Sequence, residues 1–150
     1  MDYLAIGEIE TKYHTATHLL NAALKLVVNK DVHQKGSNIT PERMRFDFSC
    51  DHKLSEEEKQ KVEDLVNQWI QEAIPVTVQE MKKEDAIKSG AECMFIEKYP
   101  DIVTVYSIKD ISKELCGGPH VKNTSELGTF KIKKEEASSS GVRRIKAVLI

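Results

Sequence analysis

The chain is poor in cysteine and in long apolar stretches, and both shortages narrow the class of protein. Its three cysteines are an odd number with no short pairing motif, which argues against a disulfide-stabilised scaffold. No apolar run approaches the roughly 20 residues that a membrane-spanning helix needs. The amino-terminal segment MDYLAIGEIE lacks the basic start and long apolar stretch of a secretory signal peptide. We therefore expect a cytoplasmic protein without a membrane partner.

What the chain does contain is enough apolar and charged sequence for one folded unit. Of its 150 residues, 40% are hydrophobic and 31% are charged, which suits a buried core beneath a well-solvated surface. A chain of this length usually forms one domain. We therefore expect residues 1–150 to make a single domain.

Charge is unevenly distributed along the chain, although the formal net charge is only −2. Residues 55–92 contain ten acidic and five basic side chains, whereas residues 116–150 contain seven basic and three acidic ones. A basic carboxyl-terminal third is compatible with a phosphate-backbone partner. Charge alone leaves a second interpretation open, in which these charged side chains are simply the water-exposed residues of strand edges and of an acidic helix face.

Three segments have the signals of helices. Residues 12–29 place apolar side chains at helical spacing. Ser55 and Glu58 form a capping box that predicts a helix continuing through Ile70. Residues 82–89 read as a short helix that Gly90 ends.

Alternating and β-branched segments predict six strands and an α+β fold. Because the strands are not regularly separated by helices, a doubly wound parallel sheet is disfavoured. We expect an antiparallel β-sheet packed in two layers against two long helices. Residues 135–141, EEASSSG, read as a tight connection between the last two strands. The predicted strands are 32–40, 43–49, 75–81, 102–108, 129–133 and 142–149.

Two pairs of metal-binding residue types stand about a hundred residues apart. His14 and His18 are four residues apart, which places both imidazoles on one face of a helix. Cys116 and His120 have the same spacing around two glycines, which permit a close backbone approach. Together the pairs predict a Zn²⁺ site.

Thr15 stands where HExxH metalloproteases have their general-base glutamate, so a protease is disfavoured.

Each pair also has a plainer interpretation, and even a zinc site leaves its role open. Two histidines on a helix are more often packing or surface residues than ligands, and the glycine turn could carry an unrelated thiol. Four protein ligands would close a tetrahedral structural site, whereas a catalytic zinc keeps one position for water or substrate. The residues alone do not decide between these roles.

Five ordered motifs between about residues 12 and 148 carry a family resemblance. HTATHLL, HQKGS, RMRFDFS, ELCGGPHV and GVRRI occur in that order. In this order and at these separations, they resemble the editing domain of alanyl-tRNA synthetase and the related free-standing alanyl-tRNA editing proteins. The resemblance implies a zinc-dependent deacylase that hydrolyses the ester of mischarged Ser-tRNA(Ala), with Gly-tRNA(Ala) as a further substrate.

The resemblance also assigns roles to individual residues. The family's zinc ligands correspond to His14, His18, Cys116 and His120. Serine is alanine plus a hydroxyl, which a synthetic site built for alanine rejects poorly, so a second hydrolytic site is useful. The residues assigned to the substrate pocket or to bonding the serine hydroxyl are Gln34, Gly36, Ser37, Thr15 and Thr17. For the tRNA acceptor end, we assign Lys122, Arg143 and Arg144.

Two departures from the family pattern keep alternatives open. Pro119 stands where the alanine enzymes usually have threonine, and proline there resembles the editing domain of threonyl-tRNA synthetase, which removes serine from Ser-tRNA(Thr). A chain of 150 residues without an ATP-binding motif cannot hold an aminoacylation core, so we expect a free-standing editor or one domain of a larger synthetase chain. A non-catalytic structural-zinc domain that binds tRNA is the third alternative.

Overall fold

The computed structural model describes residues 3–92, 99–115 and 120–150, with side chains from Gly7 onward. Within these ranges, three α-helices and seven antiparallel strands confirm the α+β class. A short 3-10 helix, Thr124–Leu127, follows the fifth strand. In chain order the elements are α1 (Tyr3–Val27), β1 (Gln34–Thr40), β2 (Arg43–Ser49), α2 (Glu56–Gln71), β3 (Val76–Lys82), α3 (Lys83–Lys88), β4 (Ile102–Ile108), β5 (Ser112–Leu115), β6 (Phe130–Ser139) and β7 (Val142–Leu149).

The strands form two sheets rather than the one sheet that we predicted. The larger has the order β1-β2-β7-β6, and the smaller has the order β3-β4-β5. Every neighbouring pair is antiparallel. Alternation along a strand predicts which residues share a face but does not determine which strands become neighbours. The division into two sheets therefore depends on long-range pairing.

The main hydrophobic core joins α1 and α2 to the larger sheet. Phe46 and Phe48 of β2 are fully buried, as is Ile145 of β7. Leu19 and Leu20 of α1 are equally buried in the same cluster. The smaller sheet has its own small cluster, formed around α3 by Ala86, Val103, Val105 and Leu115.

The predicted capping box is confirmed at the start of α2. The Ser55 hydroxyl accepts a hydrogen bond from the Glu58 N–H at 3.0 Å, and the Ser55 N–H donates to the Glu58 carboxylate at 2.9 Å. Gly90, with a φ of 86°, lies just after α3 in a conformation that favours glycine. Among the described residues, no helix combines the length and apolar character needed to cross a membrane.

The last hairpin departs most from the predicted strand boundaries. Residues 135–139 belong to β6 and are not a connection, so only residues 140 and 141 form the turn. These residues have little intrinsic strand preference, but their pairing with β7 overrides it. Register shifts between Ile132 and Lys134 and between Ala137 and Ser139 accommodate the long pairing. Strand β5 was also not predicted from the sequence.

Candidate functional site

Three histidines from distant parts of the chain form one cluster. His14 and His18 lie one turn apart on α1, with ring centroids separated by 6.2 Å. The His120 ring lies 4.7 Å from that of His14 and 4.3 Å from that of His18. Three of the four predicted ligands are therefore together. Cys116, the fourth, lies outside the described residues and stays a prediction.

The middle of α1 and strand β4 position this cluster. The spacing of His14 and His18 places both rings on the helix face that contacts the His120 segment. Tyr106 of β4 packs its ring edge against His120, with a centroid distance of 4.1 Å. The cluster is thus enclosed between the long helix and the smaller sheet.

Thr15 links α1 directly to the His120 segment. Its Oγ1 accepts a hydrogen bond from the Val121 N–H at 3.0 Å and lies 3.2 Å from His120 Nδ1. The same hydroxyl lies 3.3 Å from the Thr11 carbonyl oxygen, within reach of donating to it. At the opposite edge of the ring, His120 Nε2 is buried, with no hydrogen-bond partner among the described residues.

His18 is buried beside a carboxylate. Its Nδ1 lies 3.3 Å from the Glu114 Oε2, within ion-pair distance but without the alignment of a hydrogen bond. Burial lowers the pKa of His18 well below its usual value, and the neighbouring His120 and His14 lower it further. Burial, followed by the nearby His14, also lowers the pKa of His120 to about 3. Both rings are therefore neutral near pH 7, which is the form that binds a metal.

Glu114 connects the cluster to a polar network behind it. Burial and the nearby Glu92 raise the pKa of Glu114 to about 7, against the opposing effects of Ser112 and Lys25. The Ser112 hydroxyl donates to Glu114 Oε2 at 3.0 Å. Glu92 accepts from Asn21 Nδ2 at 2.8 Å and pairs with Lys25. The network borders a cavity of about 510 Å³.

The chemistry of this cluster fits a zinc ion. Imidazole nitrogen is a common zinc ligand, and the three ring centroids lie 4.3–6.2 Å from one another. The buried Nε2 of His120, which has no hydrogen-bond partner within the described part of the chain, would gain a partner from a bound ion. Cys116, if it joins them, would complete a tetrahedral set.

The predicted substrate residues occupy two different elements. Gln34, Gly36 and Ser37 lie on β1, an edge strand of the larger sheet, with a register irregularity between Gln34 and Gly36. Thr15 and Thr17 lie on α1 and are buried. The Thr17 hydroxyl donates to the His14 carbonyl oxygen at 2.7 Å. Contact of these five residues with a substrate stays a prediction.

The predicted tRNA-binding residues differ in how far they are engaged within the protein. Arg143 donates two hydrogen bonds to the buried Glu135 carboxylate, at 2.7 and 3.0 Å. Arg144 pairs in the same way with Asp47. Lys122 is exposed. A guanidinium has five N–H donors, so each arginine keeps donors beyond those in its pair.

Sequence reasoning missed the acid beside His18 and a second cluster of ligand-type residues. Glu114 precedes Cys116 by two positions, a spacing that could have suggested a carboxylate near the metal site. Elsewhere, Cys50, Asp51 and His52 place one donor atom each within 4.8 Å of the others. This second cluster lies on the surface, and its His52 ring already contacts Asp51 and Glu58.

Comparison with known proteins gives the family context. The model of the Threonyl and Alanyl tRNA synthetase second additional domain matches residues 103–146. The chain is 59% identical over 140 residues to an alanine–tRNA ligase of Borrelia hermsii, covering 93% of this chain and 24% of the ligase. With the Treponema denticola ligase it shares 58% over 143 residues, or 95% of this chain and 24% of that protein.

A relative from a third genus is similar to a comparable degree. The Thermotoga maritima alanine–tRNA ligase is 56% identical over 141 residues, covering 94% of this chain and 16% of the ligase. The chain therefore spans about a quarter or less of the length of these relatives. These matches confirm the resemblance carried by the ordered motifs. The chain is homologous to a segment of the alanine–tRNA ligases and contains a match to the threonyl and alanyl tRNA synthetase second additional domain.

Proposed function

We propose that this chain is a zinc-dependent deacylase that hydrolyses the ester of mischarged Ser-tRNA(Ala), with Gly-tRNA(Ala) as a further substrate. The observation that carries the proposal is the convergence of His14, His18 and His120. Its relatives are alanine–tRNA ligases, which supports alanine tRNA as the nucleic-acid partner. On this proposal the protein acts in the cytoplasm, as one part of a synthetase or as a separate editor.

His14, His18, His120 and Cys116 would hold the zinc ion. When bound, zinc supplies a Lewis acid that can polarise the ester carbonyl or a water molecule and can orient the substrate. The depressed pKa values of His18 and His120 keep these rings unprotonated and ready to bind. Burial of His18 and Glu114 keeps bulk water away from that side of the cluster.

Serine selectivity needs a group that recognises the hydroxyl that alanine lacks. Gln34 is the candidate on β1, because its side chain can both donate and accept a hydrogen bond. Gly36 and Ser37 would shape the same part of the pocket. A site built to bond a hydroxyl rejects an analogue without it, because its own polar groups are left unpaired. Correctly charged Ala-tRNA(Ala) would thereby be spared.

The tRNA backbone would be bound by the basic carboxyl-terminal part of the chain. Lys122 offers an exposed charge, and Arg143 and Arg144 retain donors beyond their internal pairs. Contacts to phosphates release counterions, so binding should weaken as salt concentration rises.

The test is deacylation by the purified, zinc-loaded chain. We expect release of serine from Ser-tRNA(Ala), with Ala-tRNA(Ala) and Ser-tRNA(Thr) left intact. His14→Ala should abolish the release, whereas His52→Ala, the same change at an exposed histidine, should leave it unchanged. No release from any of the three tRNAs by a zinc-loaded chain would overturn the proposal.

Two other candidates are distinguished by the same assay. The matching family model includes the threonyl enzymes, so preferential release from Ser-tRNA(Thr) would assign the chain to threonine editing. A four-ligand zinc site would instead favour a non-catalytic tRNA-binding domain, which should bind tRNA without hydrolysis. Removal of a structural zinc should unfold the domain, whereas removal of a catalytic zinc should leave the fold intact.

A further inference from the structure

Two of the clustered histidines each have one ring nitrogen next to a polar side chain of the protein. At His120, Nδ1 lies 3.2 Å from the Thr15 hydroxyl oxygen. At His18, Nδ1 lies 3.3 Å from the Glu114 carboxylate. In both rings it is therefore the same nitrogen that faces the protein. In a metal site, such outer contacts decide which nitrogen keeps its proton and which binds the ion.

Hydrogen-bond accounting at Thr15 favours one tautomer of His120. A hydroxyl has one proton to donate and two lone pairs that accept. One lone pair of Thr15 Oγ1 takes the Val121 N–H, and the Thr11 carbonyl lies within reach of the hydroxyl proton. The second lone pair is then left for a proton on His120 Nδ1.

The other edge of the His120 ring supports the same assignment. A proton on Nε2 would be a buried donor without a partner in the described structure, which is energetically costly. With the proton on Nδ1, Nε2 instead presents a bare lone pair. That lone pair is what a metal ion requires.

At His18 the neighbouring acid makes the same selection. The contact is not aligned as a hydrogen bond, but in its ionised form the carboxylate 3.3 Å away attracts a proton to the nitrogen that faces it. Glu114 is itself held by Ser112, and the side chains of His18 and Glu114 are only 6% and 12% exposed. Water therefore has little access with which to replace this contact.

We propose that Thr15 and Glu114 are positioning residues that hold His120 and His18 as Nδ1–H tautomers, so that both rings present Nε2 to the ion. This inference rests on the zinc site proposed above. It gives Thr15 a different task from bonding the serine hydroxyl, because its hydroxyl is fully buried and occupied within the protein. Both residues would act through the histidines and not directly on the substrate.

Histidine tautomers can be measured directly in the unsubstituted protein. Long-range proton–nitrogen NMR of the ¹⁵N-labelled chain distinguishes Nδ1–H from Nε2–H rings, in both zinc-free and zinc-loaded protein. We expect Nδ1–H for His18 and His120 in both states. An Nε2–H tautomer, or zinc bound through Nδ1, at either ring would overturn the assignment for that ring without any need for a variant.

Substitution then tests whether these contacts matter for metal binding. Thr15→Val keeps the shape and removes the hydroxyl, whereas Thr15→Ser restores it. Glu114→Gln keeps the size and removes the charge. Loss of an outer partner typically weakens metal binding about 10- to 100-fold, and we expect Thr15→Val and Glu114→Gln each to raise the zinc Kd by that factor. Thr15→Ser should bind as the unsubstituted chain does.

Matched controls separate positioning from general destabilisation. Thr11→Val makes the same change one turn earlier on α1, and Glu80→Gln makes the same change at an exposed acid on β3 of the smaller sheet. Both controls should leave the zinc Kd, measured by competition with a chelator, unchanged. Unaltered Kd values in Thr15→Val and Glu114→Gln would overturn the inference. Failure of the unsubstituted chain to bind zinc would instead overturn the proposed function, while its histidine tautomers would still be readable.

Discussion

Arg144 donates two parallel hydrogen bonds to Asp47, from Nε to Oδ1 at 2.9 Å and from Nη2 to Oδ2 at 3.1 Å. The pair joins the central strands β2 and β7 of the larger sheet. Asp47 also lies opposite Gly36 in the register with β1, where a Cβ would come within 3.6 Å of its Oδ2. An arginine assigned to tRNA from the sequence therefore also holds the acid that lies beside Gly36, one of the predicted substrate residues.

Arg144→Ala should lower the midpoint temperature of thermal unfolding, because the mostly buried Asp47 loses a two-point partner. Lys131→Ala, which removes an exposed basic residue from the neighbouring strand β6, should leave that temperature nearly unchanged. Circular dichroism during heating measures both. Equal midpoints for the two variants would show that the pair contributes nothing to the fold, and would leave Arg144 free for tRNA.

Cys116→Ala should reduce both the zinc content and the rate of serine release, because it removes one predicted ligand. Cys50→Ala is the matched control, since it removes the thiol of the surface cluster and should leave both quantities unchanged. Metal analysis of the purified variants gives the zinc-to-protein ratio. Full zinc content in Cys116→Ala would remove this residue from the site. Loss of zinc in Cys50→Ala would instead indicate that the metal binds at the surface cluster.

Acid should destabilise the zinc-free protein through the buried histidines. Because the folded-state pKa of His120 is lowered to about 3, the unfolded chain binds this proton first, and stability falls as pH drops below about 6.5. His120→Ala should make the loss shallower by at most about 1.4 kcal/mol per pH unit in that window. Denaturant unfolding between pH 4 and 8 measures the slope, and an unchanged slope would contradict the burial of this ring.

Glu114 should oppose this effect of acid, because its folded-state pKa is raised. As pH falls from about 7, the folded chain takes up this proton before the unfolded chain does, which stabilises the fold. The contribution of Glu114 to the free energy of unfolding is therefore smaller above about pH 7 than below it. Glu114→Gln should therefore steepen the net loss of stability between about pH 7 and 4.5. The same denaturant series tests this expectation, and a shallower slope in the variant would have the wrong sign.

Ser55→Ala should lower the free energy of unfolding by about 0.5–2 kcal/mol, since it removes the side-chain cap of α2. Ser55→Asp should restore most of that loss because aspartate is also a good capping residue. Urea unfolding followed by circular dichroism measures both variants. Serine release should change little, because α2 supplies none of the clustered histidines.

The sequence predicted features with local causes better than those with long-range causes. The capping box of α2 and the alternation of β2 depend on neighbouring residues, so the predicted elements appear where expected. The His14–His18 pair was likewise visible because helical spacing brings the rings together. By contrast, residues 135–139 extend β6 only because β7 pairs with them, and the contact between Glu114 and His18 crosses most of the chain.

The long separation between His14 and His120 also has a consequence for the order of events during synthesis. Their rings lie 4.7 Å apart in the folded protein, yet a ribosome makes α1 long before it makes residue 120. Contacts so distant in sequence require closure of a long loop before they contribute any stability. A growing chain that exposes only α1 therefore presents two histidines of the cluster, and the three-histidine site can assemble only after most of the chain has been made.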